Sequence, residues 1–234
     1  MSASHQYFYP CKDLLSPEER KQLQHLGGEI IKVIDKDESL FENLSGVNKD
    51  SITDSIDAGK NRKILLFNHG QHLSRVCNLG VLDSHIPEMQ VHIDSIDKIA
   101  ERYGGRAWRF CICADDSVEG KIHKDPKFDG LIDANCNIPI SPDYAFYRPT
   151  YFYKEKEPET LETIARYARF RSPALLNIQK YHSVGGGDGV VAKSEYKAGI
   201  YMGRSFALQI LFNEPYLKVI KQFQKKGWLT TTPF

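Results

Sequence analysis

A run of short aromatic and β-branched segments fills the second half of this 234-residue chain and constrains its fold more than any other feature. Residues of these types favour strands, and the glycine, proline and charged residues between the segments favour turns. Such a run is typical of an antiparallel sandwich or barrel. The predicted strands occupy residues 106–114, 131–141, 144–154, 173–184 and 204–212.

Helical patterns flank this strand-rich part. The segment SPEERKQLQHLGGEIIKVI, residues 16–34, begins with an N-cap serine, a proline and two glutamates. These residues are typical of a helix start, and the glycine pair at Gly27 and Gly28 predicts that the helix is broken or ends there. Apolar residues at helical spacing predict further helices. These helices occupy residues 86–105, 159–170 and 215–228.

The order of these elements predicts one domain of the α+β class, because helices come first, strands follow and one helix closes the chain. Residues 1–105 are expected to form mainly helices and loops, with one short strand at residues 63–70. Residues 106–212 are expected to form the β-barrel core. Residues 213–234 are expected to form a C-terminal helix and tail.

Charge and composition exclude several classes of protein. The net charge of +1 gives no overall positive field for nucleic acid or an anionic membrane surface. No apolar run approaches the roughly 20 residues that span a bilayer. Scattered cysteines without a C-x-x-C pattern indicate reduced thiols in a cytoplasmic protein. These cysteines are Cys11, Cys77, Cys111, Cys113 and Cys136.

The pattern His123-Lys124-Asp125 is a candidate for metal chemistry. In an extended segment, residues two apart point to the same side, so the imidazole and the carboxylate can meet at one point. His182, at the end of a later apolar strand, is a candidate third ligand. Two histidines and one carboxylate hold Fe(II) and leave three coordination positions open. The alternatives are a charged turn at residues 123–125 and, at 182, a core or edge histidine whose ring is hydrogen-bonded to the backbone.

Polar residues on the predicted strands offer contacts for a co-substrate. Arg204 begins a strand whose same-side residues are apolar, so its guanidinium needs an anionic partner such as the distal carboxylate of a small dicarboxylic acid. Asn135 and Asn137 alternate with apolar residues and are placed to face a barrel interior, where their amides could bind a co-substrate. The alternatives are a surface salt bridge for Arg204 and a solvated sheet face for the asparagines.

The order of H-x-D, NIPIS, NIQKYHSV and a following arginine resembles that of the Fe(II)/2-oxoglutarate-dependent oxygenases. It is similar in particular to their aspartyl/asparaginyl β-hydroxylase-like and phage-encoded members, over residues 108–212. The resemblance implies a double-stranded β-helix, which is a jelly-roll or cupin-like barrel, with the N-terminal helices packed on one sheet. It implies Fe(II) held by His123, Asp125 and His182, and 2-oxoglutarate held by Arg204 or, alternatively, by Arg148.

The implied activity is hydroxylation of a small molecule or protein side chain, with O₂ and 2-oxoglutarate as co-substrates. Two other classes remain open. One is a metal-dependent nuclease, in which Asp143 and Glu195 would bind Mg²⁺ and Lys197 would aid the nucleophile. The chain has no basic excess for a phosphate backbone, and no nucleic-acid or membrane partner is expected. The other class is a non-catalytic cupin-like binding protein with the same barrel.

Overall fold

The computed structural model contains three α-helices and eleven strands within the residues it describes. Those residues are 6–37, 42–43, 63–68, 74–114, 122, 124, 134–140, 150–154, 163–167, 173–184, 205–212 and 214–230. The helices are α1 (Pro17–Lys36), α2 (Met89–Tyr103) and α3 (Tyr216–Lys225), with a 3₁₀ helix at Leu79–Ser84. The strands are β1 (Phe8–Pro10), β2 (Glu42–Asn43), β3 (Lys63–Asn68), β4 (Ser74–Asn78), β5 (Arg106–Ala114), β6 (Ala134–Pro139), β7 (Thr150–Tyr153), β8 (Thr163–Tyr167), β9 (Ala174–Leu176), β10 (His182–Val184) and β11 (Ser205–Phe212).

The described strands form two sheets. The large sheet has the order β1-β9-β6-β11-β5-β3-β4-β2, and the small sheet has the order β10-β7-β8. Neighbouring strands run antiparallel apart from β3 and β5, which are parallel. The predicted α+β class with a mainly antiparallel sheet is therefore confirmed.

The helices cover one face of the large sheet. Alternate residues of β6 and the residue that follows it are fully buried in the same apolar core as the helices, as the period-two pattern of the sequence predicts. These residues are Ala134, Cys136, Ile138 and Ile140. Their helical partners in this core include Leu26, Ile30, Ile93, Ile96, Val219 and Phe223.

A second apolar core joins the opposite face of the large sheet to the small sheet. The ring of Phe8 in β1 stacks on that of Phe152 in β7, with a centroid separation of 5.9 Å. Leu176 of β9, Leu211 of β11 and Tyr167 of β8 belong to the same core. The described elements therefore form three layers, which are the helices, the large sheet and the small sheet.

Helix α1 continues through Gly27 and Gly28, so the predicted break at this pair is wrong. A reciprocal capping box between Ser16 and Glu19 starts the helix. Glycine costs about 1 kcal/mol in a helix relative to alanine. The fully buried side chains of Leu26 and Ile30 flank the pair and anchor both halves in the helical core, which outweighs that cost.

The predicted helix at residues 159–170 is also wrong, because the structure has strand β8 within it. Thr163, Ile164 and Tyr167 are β-branched or aromatic, and β8 pairs antiparallel with β7. Tyr167 is buried in the second core. Tertiary pairing here overrides the helical spacing of the apolar residues.

The single strand predicted over residues 173–184 is two strands in different sheets. Strand β9 pairs with β6 in the large sheet, and β10 pairs with β7 in the small sheet. A turn separates them, closed by a hydrogen bond from the Lys180 amide to the Asn177 carbonyl at 3.1 Å. The chain therefore crosses from one sheet to the other immediately before His182.

The first part of the chain adds strands to the large sheet. The predicted strand at residues 63–70 is observed as β3, and β2 lies in a segment that was expected to be loop. The division of the chain into an elaboration, a core and a tail stays a prediction. Among the described residues, no helix is long and apolar enough to cross a membrane.

Candidate metal and co-substrate site

His182 faces the space between the two sheets. It is the first residue of β10 and lies directly opposite Phe152 of β7. Directly opposed residues of an antiparallel pair share one face, and Phe152 belongs to the core between the sheets. The two rings are in contact, with centroids 6.0 Å apart. The side chain of His182 is therefore directed inward, and the residue is only 6% exposed.

A hydrogen bond fixes the tautomer of His182. Its Nδ1 lies 2.9 Å from the carbonyl oxygen of Lys180. A carbonyl oxygen only accepts, so Nδ1 donates its proton and the neutral ring carries its lone pair on Nε2. Metal-binding histidines are commonly oriented by such a bond to the nitrogen that does not bind the metal. His182 therefore fits the role of a metal ligand through Nε2.

The H-x-D segment and the His182 strand meet through a contact between their neighbours. The Nζ atom of Lys124 lies 4.3 Å from the ring centroid of Tyr181, the residue before His182. His123 and Asp125, on either side of Lys124, are outside the described residues. The described contact nevertheless joins the two parts of the sequence that carry the predicted ligands.

Asn135 and Asn137 of β6 face the same space between the sheets. Asn135 lies opposite Leu176 and Leu211, which both belong to the second core. Asn135 is 2% exposed, and its Oδ1 has no hydrogen-bond partner within the part of the chain that the structure describes. Asn137 is half-buried. The structure thus places His182, Asn135 and Asn137 on the walls of one space.

Replacing Asn135 by leucine is expected to stabilise the ligand-free protein by about 1 kcal/mol. A buried polar group without a partner carries a desolvation penalty of about 1–3 kcal/mol, and leucine of similar shape removes it. The measurement is urea unfolding monitored by circular dichroism. Asn137→Leu is the matched control on the same face, where the half-buried amide should give a smaller change. A lower free energy of unfolding in Asn135→Leu would show that the Asn135 amide has a hydrogen-bond partner in solution.

Two side chains of α1 hold the end of β6. Arg20 donates from Nη1 to the Pro139 carbonyl at 2.7 Å, and Gln24 donates from Nε2 to the Ile140 carbonyl at 3.0 Å. Arg20 also pairs with Asp13. These contacts fix the strand that carries Asn135. Sequence reasoning missed them, because their acceptors are backbone carbonyls for which no residue type is diagnostic.

Cys11 and Cys136, whose side chains the structure describes, belong to the apolar core under the helices. Cys11 and Cys136 are free and fully buried. Burial raises the pKa of the Cys136 thiol, so it stays protonated, and this residue lies in the core under the helices. Thiolates, not thiols, bind metals. Cys136 is therefore a core residue.

Several predicted site residues lie outside the part of the chain that the structure describes. Across the described ranges, no group of three or more histidine, cysteine, aspartate or glutamate side chains could hold a metal ion. Two of the three predicted iron ligands, His123 and Asp125, are not among those residues. The predicted residues outside the described part are His123, Asp125, Arg148, Arg204, Asp143, Glu195 and Lys197.

Comparisons with known proteins give only distant structural likenesses. No protein-family model and no curated protein matches the chain. AviO1 from Streptomyces viridochromogenes Tue57 matches with a TM-score of 0.44 and 14% identity, over 89% of this chain and 90% of that one. The non-heme alpha ketoglutarate dependent carbocyclase SnoK from nogalamycin biosynthesis matches at 0.42 and 12%, over 89% and 80%. A prolyl hydroxylase from Trichoplax adhaerens, in complex with a hypoxia inducible factor peptide, matches at 0.30 and 8%, over 89% and 97%.

Proposed function

We propose that this protein is a non-haem Fe(II)- and 2-oxoglutarate-dependent dioxygenase that hydroxylates a small molecule or a protein side chain. The proposal rests on the chain's own residues. The observation that carries it is the contact between Lys124 and Tyr181. Lys124 is the middle residue of H-x-D, and Tyr181 directly precedes a buried histidine whose Nδ1 is hydrogen-bonded to the Lys180 carbonyl.

His123, Asp125 and His182 would hold the iron. His123 and Asp125 are the chain neighbours of Lys124, and His182 is the chain neighbour of Tyr181. The α-carbon of each proposed ligand is therefore about 3.8 Å from that of a residue in the contact. The inward direction of His182 and the lone pair on its Nε2 fit a nitrogen ligand of a 2-His-1-carboxylate site. Bound Fe(II) and 2-oxoglutarate would supply O₂ activation coupled to the decarboxylation of 2-oxoglutarate to succinate.

The path of the chain between the sheets supports a double-stranded β-helix. After β6 in the large sheet, the chain enters the small sheet for β7 and β8, returns for β9, crosses again for β10 and returns for β11. Repeated crossing between two facing sheets is the winding of a jelly roll, in which both sheets contribute to one enclosed site. In the proposed barrel, His182 comes from the small sheet and the asparagines from the large one.

The remaining residues would bind and orient the co-substrate. We propose that Arg204, immediately before β11, pairs with the C5 carboxylate of 2-oxoglutarate, with Arg148 as the alternative. Asn135 and Asn137 would hydrogen-bond the co-substrate or the substrate. Phe8, Phe152 and the other apolar residues of the second core would exclude bulk water beside His182.

An anaerobic titration tests this function. Protein loaded with Fe(II) and 2-oxoglutarate is expected to show the weak visible charge-transfer band of the ternary complex, and O₂ should then yield succinate. Asp125→Ala should abolish both, because it removes the only carboxylate of the proposed ligand set. Wild-type turnover by Asp125→Ala would refute the metal assignment.

Controls separate the other two classes of protein. Mg²⁺-dependent nicking of plasmid DNA that is lost in Lys197→Ala would favour the nuclease over the dioxygenase. If the wild-type protein shows no nicking, no charge-transfer band and no succinate, the non-catalytic binding protein is favoured.

A further inference from the structure

We propose that Lys124 and Tyr181 act as a latch that positions the H-x-D segment against the His182 strand before the metal binds. The latch is the contact between the Lys124 ammonium and the Tyr181 ring. The proposal rests on the proposed function, because it assigns these two residues a role in assembling the iron site. Both are positioning residues, since neither belongs to the proposed ligand set.

The geometry of the contact is that of a cation–π interaction. The 4.3 Å separation of Nζ from the ring centroid lies well within the roughly 6 Å range of this attraction. Both side chains are half-buried. Partial burial reduces screening by water, so the attraction is stronger than it would be at a fully exposed site.

The Tyr181 side of the latch is held by the small sheet. The Tyr181 carbonyl accepts a hydrogen bond from the Tyr153 amide at 2.9 Å, and the next residue pairs with Phe152. Phe152 is itself fully buried against Tyr7 and Phe8. Tyr181 is therefore attached to a packed framework and can serve as a fixed anchor for Lys124.

The consequence of the latch is pre-organisation of the metal site. The proposed ligands come from two segments that are far apart in sequence, so metal binding must bring those segments together. A contact between the immediate neighbours of the ligands removes part of that ordering cost before the ion arrives. Loss of the latch should therefore weaken metal affinity while leaving every proposed ligand in place.

Titration with Co(II) alone, monitored by visible absorption under anaerobic conditions, tests the latch without requiring activity. Lys124→Met keeps the aliphatic stem and removes the charge, and Tyr181→Leu removes the ring. Each is expected to weaken Co(II) affinity about three- to tenfold, in line with a partly buried cation–π contact. The double variant should be no weaker than either single variant, because both remove the same interaction.

Conservative variants distinguish a latch from a general structural defect. Lys124→Arg keeps the cation and Tyr181→Phe keeps the ring, so both should bind Co(II) within about twofold of wild type. Equal Co(II) affinity in wild type, Lys124→Met and Tyr181→Leu would overturn the latch while leaving the iron site intact. Additive losses in the double variant would also overturn it. Absence of stoichiometric Co(II) binding by the wild-type protein would overturn the proposed function itself, and the latch with it.

Discussion

The substitution Gly105→Ala is expected to lower the free energy of unfolding by about 3 kcal/mol, at the upper end of the usual cost of overpacking. Gly105 follows α2 and precedes β5, where the chain passes closely over β11. A β-carbon there would lie 2.5 Å from Ile210 Cγ2 and 2.6 Å from the Leu211 carbonyl oxygen. The oxygen belongs to the sheet backbone and cannot rotate aside, so either α2 or β11 must move. Urea unfolding gives the free-energy difference directly.

Gly28→Ala is the matched control for this substitution. A β-carbon at Gly28 meets nothing within 4 Å, and the residue lies inside α1. Alanine there should stabilise the protein by about 0.5–1 kcal/mol, because it restricts the unfolded chain and favours the helix. If the change in the free energy of unfolding has opposite signs in Gly105→Ala and Gly28→Ala, the loss in Gly105→Ala comes from the packing around Gly105. An unchanged unfolding midpoint in Gly105→Ala would show that the strands relax around the added methyl group.

Elements with a strong local pattern were predictable from the sequence. Residues 86–105 contain α2 because Ile93, Ile96 and Ile99 recur at helical spacing, and Gly104 ends the helix with a φ of 78° that glycine adopts freely. Strand β5 matches its predicted bounds. Strand β8 and the division between β9 and β10 were not predictable, because each depends on the strand with which the segment pairs in the fold.

The candidate site shows the same limit. The inward direction of the asparagines follows from a period of two, and His182 was a candidate because of its residue type and its place at the end of an apolar segment. All of these are local properties of the sequence. The contacts that support them are not local. The bonds from Arg20 and Gln24 to the end of β6 join residues 119 and 116 positions apart. Nothing in a single sequence relates such positions, so supporting contacts emerge only from the fold.

His182→Asn is expected to reduce the affinity for Co(II) or Fe(II) by more than about 100-fold, because even residues that only orient a ligand change metal affinity by 10- to 100-fold. An asparagine amide can occupy the place of Nδ1 and still donate to the Lys180 carbonyl. It has no group in the place of Nε2. The variant therefore keeps the local hydrogen bond and removes the proposed ligand atom, so loss of metal binding is separated from loss of the β10 strand.

His92→Asn is the matched control, because His92 is a half-buried histidine on α2, away from the inter-sheet space. Its metal affinity should equal that of wild type, and circular dichroism should show both variants folded. Imidazole added to His182→Asn supplies a free nitrogen ligand and should restore part of the Co(II) absorption if the remaining ligands are intact. Equal affinities in the two variants would remove His182 from the metal site, and the proposed dioxygenase would then lack its only described ligand.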